Sequence, residues 1–126
     1  MEKHIHHDEL ITGAYDQLHG IFEESDQAIY LYLDDTHKVC NKKFSRMLGY
    51  ESPEKWLEVE EMILDVDEKH RERLVNAYQA AMDKMIGSSI QLQWHKKSGG
   101  AIMTNVILVP YIYEGHLFAL HFISKI

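Results

Sequence analysis

The sequence predicts a single α+β domain built on a five-stranded antiparallel sheet with flanking helices and an N-terminal amphipathic helix. Three observations predict it. Apolar residues recur at helical spacing over residues 8–24 and again over 67–86. Strand-like runs at 28–33 and 37–40 are separated by a short polar turn. Three further runs fill residues 89–124, divided by glycine-containing turns. A length of 126 residues suits one hydrophobic core. With 45% hydrophobic and 26% charged residues, the composition is that of an ordinary globular domain, which excludes a disordered or collagen-like chain.

The first helix has Asp8 as its cap and Leu10, Ile11, Ala14, Tyr15, Leu18 and Phe22 as its apolar stripe, with Gly20 weakening the last turn. Ala28 to Leu33 is β-rich, Asp34-Asp35-Thr36 turns the chain, and His37 to Cys40 returns antiparallel. Asn41 is suited to cap a short helix that Gly49 stops. Ser52-Pro53-Glu54 starts another, with proline at the first helical position and Trp56 and Leu57 as its apolar contacts. The long helix runs from an Asp67 cap to about Ile86, ended by Gly87, with Leu74, Tyr78, Ala81, Met82 and Met85 in a stripe. Ser89 to Lys96 alternates, Ile90, Leu92 and Trp94 against Gln91, Gln93 and His95. Lys97-Ser98-Gly99-Gly100 makes a hairpin to Ala101–Tyr111, and Glu114-Gly115 turns into His116–Ser124. The last two strands are apolar on both faces, so both need cover. The central helices supply one; the N-terminal helix or a second subunit supplies the other.

Charge and targeting signals narrow the function. The net charge of −7 is a poor match for nucleic acid. Acids crowd residues 51–68, and Lys38, Lys42, Lys43 and Arg46 stand together just before them; these read as solvated faces, or else as docking surfaces for a protein. No apolar run reaches the roughly 18 residues of a membrane span, and the first residues lack a secretory h-region. Cys40 is the single cysteine, so no internal disulfide forms and a cytoplasmic location is expected.

The order of elements, together with Asn41-Lys42-Lys43-Phe44-Ser45-Arg46-Met47-Leu48-Gly49-Tyr50 and the Ser52-Pro53-Glu54 and Trp56 that follow, resembles the PAS domain family. Ile21 to Ser25 resembles the family's lead-in to its first strand, and Lys97-Ser98-Gly99 its last hairpin. The likeness spans residues 20–124. It implies a sensory or protein-interaction module in signal transduction rather than an enzyme, with residues 1–19 as tail and dimerisation helix and 20–126 as the PAS domain. Relatives often end in Asp-Ile-Thr before an output helix; here the sequence reads Ile123-Ser124-Lys125-Ile126, so the expected output is association with another protein if this is the whole protein, or an effector beyond it if it is a fragment.

Candidate chemistry follows from the same likeness. Photosensing relatives of the LOV group carry a reactive cysteine after the Gly-Tyr element, whereas Cys40 precedes Asn41; the positions matching their flavin amides hold Trp94 and Thr104. Flavin is therefore disfavoured. Haem-binding relatives ligate iron from the long helix, where His70 sits in an exposed-looking first turn. His4, His6 and His7 lack fixed co-ligands for a built metal site. No Walker loop, G-x-S-x-G or H-E-x-x-H motif is present.

Alternation places Tyr78, Met82, Leu92, Trp94, Thr104, Val106, Phe118, Leu120 and Phe122 between the long helix and the sheet. They close either as a packed core or around a cavity of roughly 300 Å³ or more, in which Trp94, Tyr78 and Thr104 supply stacking and hydrogen bonds. Leu10, Ile11, Ala14, Tyr15, Leu18 and Phe22 are the expected homodimer interface. The competing readings are an unliganded interaction module and a small α+β-barrel enzyme of the isomerase type. The enzyme needs an acid or base pointing inward among the strands, for which His121 is the candidate.

Overall fold

The computed structural model describes residues 6–126. Helix α1 (His7–Glu24) leads into strands β1 (Ala28–Asp34) and β2 (His37–Cys40), then helices α2 (Lys42–Met47) and α3 (Pro53–Leu57). Two 3₁₀ turns, Met62–Asp65 and Glu68–His70, precede helix α4 (Arg71–Lys84) and strands β3 (Ser88–His95), β4 (Ala101–Tyr113) and β5 (His116–Lys125). All pairings are antiparallel, in the order β2-β1-β5-β4-β3. The chain's last strand therefore lies at the centre, beside its first.

The short helices start where the sequence places their caps. Asn41 Oδ1 accepts the N–H groups of Phe44 and Ile29, both at 3.0 Å, while its amide donates to the Gln27 carbonyl at 2.9 Å. One side chain thus caps α2 and anchors the start of β1. Ser52 caps α3 through the Lys55 N–H. Gly49 sits at φ 84°, and a Cβ there would lie 2.8 Å from Ser98 Oγ, so both conformation and space call for glycine. The β4–β5 hairpin uses a two-residue loop with Glu114 and Gly115 both at positive φ, the twist-matched form.

Two cores lie on opposite sides of the sheet. On the inner side, α2, α3 and α4 cover an aromatic cluster in which Phe44 packs 4.8 Å from Tyr30, 5.1 Å from Trp56 and 5.6 Å from Trp94, ring centre to ring centre. On the outer side, α1 lays Leu10, Ile11, Ala14, Leu18 and Phe22 against Ile29, Leu31, Phe118 and Leu120. The stripe read as a dimer interface is therefore buried against its own sheet, with only Tyr15 half-buried. Helix α1, which runs unbroken through Gly20, covers the outer face over β1 and the first half of β5.

Two details depart from the sequence reading. Helix α4 begins after a 3₁₀ turn capped by Asp67, and it ends at Lys84 rather than at Gly87, with Met85 left-handed at φ 57°. The backbone N–H groups of Met85 and Ile86 close the helix end on the Ala81 and Ala80 carbonyls. The second concerns the phase of β5. Phe118, Leu120 and Phe122 face α1 rather than the long helix; His121, Ala119 and Ile123 face inward. Period-two alternation fixes a strand's faces only where one face is polar, and this strand is apolar on both.

Among the described residues, no helix is long and apolar enough to cross a membrane.

Candidate functional site

A cavity of about 190 Å³ opens on the inner face, between β1, β5, the first 3₁₀ turn and the start of α4. Tyr30, Tyr32, Asp35, Met62, Ile63, Leu74, Val75, Tyr78 and His121 line it. Alternation along β1 turns Tyr30 and Tyr32 inward together. The β1–β5 register sets Tyr30 opposite His121, and their rings stack 3.8 Å apart at 12°. Tyr30, His121, Leu74 and Met62 are buried and form the floor; Tyr32, Ile63, Asp35 and Tyr78 are half-buried and Val75 is exposed, which places the mouth on their side. Tyr78 meets Tyr32 edge-on, with ring centres 5.7 Å apart.

The floor carries an unusual polar group. His121 is 2% exposed, and its Nδ1 is buried with no hydrogen-bond partner. Buried polar atoms are almost always paired, because an unpaired one costs about 1–3 kcal/mol. The described residues hold one other such atom, Trp56 Nε1, and Trp56 does not line this cavity. Burial pushes the His121 imidazole down to about 3; the nearby Tyr30 and Ala119 backbone opposes this as the lesser effect. His121 is therefore neutral near pH 7. No lysine or arginine is among the lining residues, and Asp35 is the one acid.

Of the nine residues expected to hold a ligand, Tyr78 lines this cavity. Leu92, Trp94, Thr104 and Val106 are fully buried in the inner core, with Met82 half-buried against it. The polar handles expected of Trp94 and Thr104 are already used: Trp94 Nε1 donates to Thr104 Oγ1 at 2.9 Å, and that hydroxyl donates to the Leu92 carbonyl at 2.9 Å. Phe118, Leu120 and Phe122 lie across the sheet. Tyr30, Tyr32, Asp35 and His121 were missed as a group, although the alternation of Ala28 to Leu33 carried the signal for the two tyrosines, and His121 is a lone polar residue in an apolar run.

The remaining candidates lie elsewhere. His70 ends the second 3₁₀ turn, and its Nδ1 accepts the Gln93 N–H at 2.8 Å; it does not reach the cavity lining. Cys40 is buried in the inner core, and burial pushes its thiol up, away from reactivity. The cavity's volume of about 190 Å³ is below the roughly 300–1,000 Å³ of drug-sized ligand pockets.

No family model matches the sequence, and no curated protein matches it significantly. Solved structures do match. A PAS domain from a two-component sensor histidine kinase aligns with 91% of this chain and 98% of its own at a TM-score of 0.67 and 16% identity. A PAS domain from Colwellia psychrerythraea aligns with 90% and 97% at 0.72 and 17% identity. This chain has the PAS fold. A Rhodobacter sphaeroides LOV protein matches as well, over 91% of this chain and 68% of its own, at a TM-score of 0.71 and 16% identity. At such identities the likeness is one of fold, and the PAS architecture here is the five-stranded sheet with its flanking helices.

Proposed function

We propose that this PAS-fold domain is a sensory module whose cavity takes an uncharged, single-ring molecule bearing one polar group that pairs with His121. The orphaned Nδ1 of His121 carries this reading. His121 lines the cavity, and a polar group that reaches its Nδ1 from there repairs the deficit. Size sets the ligand class, since a space of about 150 Å³ admits one benzene ring. Stacked and edge-on tyrosines favour a flat ring. The lack of a cation in the lining disfavours an anion. A binding role is favoured over catalysis because an imidazole pushed down to about 3 is a weak base at neutral pH. A route outward runs along one strand: His121 faces the cavity, and its neighbours Leu120 and Phe122 face α1. Movement of β5 on ligand entry is thus felt at α1, where a signalling partner can read it.

Phenol is the simplest probe. It should raise the melting temperature of the wild-type chain, and His121→Leu should weaken its binding by about tenfold, the cost of one hydrogen bond. Equal affinity in both would remove His121 from the site.

Self-association is the second reading, and one observation favours it. Outside the reach of α1, β4 presents Met103 and Ile107 outward, 39% and 45% exposed, with half-buried Phe122 opposite Ile107. A native mass of two chains, returned to one by Ile107→Glu, is the expected result; a single-chain wild-type mass would exclude this homodimer.

A further inference from the structure

The far end of α1 holds a second cluster, separate from the cavity. His7, the first residue of α1, meets Asp34 at the end of β1 and His37 at the start of β2, and one ligand atom from each lies within 4.8 Å of the others. His7 Nδ1 is 3.0 Å from Asp34 Oδ2, and His37 Nδ1 is 2.7 Å from Asp34 Oδ1. The Thr36 N–H and hydroxyl both donate to Asp34 Oδ1 at 3.0 Å, which fixes the carboxylate and leaves Oδ2 turned to His7. On its other side, His37 Nε2 lies 2.9 Å from Asp8 Oδ1.

His37 has a carboxylate at each ring nitrogen. A metal ion that takes the Nδ1 lone pair leaves Nε2–H on Asp8. A ligating histidine whose outer nitrogen donates to a carboxylate is the usual outer-sphere support of a metal site. Three protein ligands of imidazole and carboxylate type, with one position open, suit zinc and its neighbours rather than calcium or magnesium, which prefer all-oxygen shells. Ligand bonds of about 2.0–2.2 Å set tetrahedral donors roughly 3.3–3.6 Å apart, so the pairs now at 3.0 and 2.7 Å part slightly to admit an ion. His7 stands at an exposed helix start, where such movement meets little packing.

We propose that His7, Asp34 and His37 form a site for a divalent transition metal of the zinc class, with Asp8 orienting His37 from outside. The consequence is mechanical. The ion ties the first turn of α1 to the β1–β2 turn and so reinforces the docking of α1 on the sheet. The sequence shows a histidine-rich start without fixed co-ligands; the hairpin supplies them. His4 lies outside the described residues, and exposed His6 is the control.

The test is zinc titration of the tag-free full chain, stripped with chelator, by isothermal calorimetry. Wild type should bind one equivalent. Asp34→Asn and His37→Gln should each weaken binding by about tenfold or more, with unchanged far-ultraviolet circular dichroism, and His6→Gln should bind as wild type. Zinc should also raise the melting temperature of wild type and not of His37→Gln. Binding that survives both hairpin substitutions, binding that depends on His6 as strongly as on His37, or no binding by wild type would overturn the proposal.

Discussion

Lys38→Met should lower stability by about 1–3 kcal/mol, the cost of leaving buried carbonyls without their donor. Lys38 is 1% exposed, yet among the described residues its ammonium has no carboxylate partner at ion-pair distance. It donates instead to the carbonyls of Val59 at 2.8 Å, Leu57 at 3.2 Å and Asp35, and it sits 5.2 Å from the centre of the Trp56 ring. Burial pushes its pKa down, opposed by the nearby Asp35 and Asp34. The group is a staple. It joins the β1–β2 turn to the end of α3, on the same turn whose Asp35 accepts the Met62 N–H and lines the cavity mouth. Methionine keeps the length and loses every donor, so the carbonyls of Asp35, Leu57 and Val59 lose their charged partner. Urea unfolding measures this directly. A loss below about 1 kcal/mol, the typical worth of a single neutral hydrogen bond, would mean that the carbonyls find other partners.

The second large effect is on acid stability. His121 has a folded pKa of about 3 against an ordinary value of 6.5. Between these values the unfolded chain holds a proton that the folded chain refuses. Stability therefore rises with pH across this window and is lost as pH falls below about 6.5, by roughly 1.4 kcal/mol for each unit. At pH 4.5 the difference from neutral pH is about 2–3 kcal/mol from this one residue. His121→Leu removes that slope, and at pH 7 it removes an unpaired buried atom, so the variant should be as stable as wild type or more so. Parallel pH profiles of wild type and variant from pH 7 to 4.5 would contradict the assignment. A residue that weakens the fold and faces a cavity fits the proposed pairing of His121 with a ligand.

Much of this architecture was legible in the sequence because local chemistry agreed with the global fold. Asn41 and Ser52 cap helices where their side chains imply, and the hairpins turn where glycine permits positive φ. The amphipathic period of α1 marked its buried face correctly, although not what would cover it: a stripe facing its own sheet and a stripe facing a second chain read alike. The site was harder to read for the same kind of reason. Trp94 and Thr104 looked like free polar groups because sequence does not reveal that β3 and β4 set them side by side to satisfy one another. Lys38 alternates as a surface residue would, and only the fold brings the end of α3 over it. His121 was visible as an oddity, but the face it takes depends on its register with Tyr30.

The most direct test of the ligand site is nuclear magnetic resonance of the chain labelled with ¹⁵N at its histidine rings, titrated with phenol. The account predicts that the His121 ring resonances, assigned by their loss in His121→Leu, move in a saturable one-to-one manner while those of His70 and His95 stay in place. Saturable phenol binding with unmoved His121 resonances, or no binding at all, would contradict it.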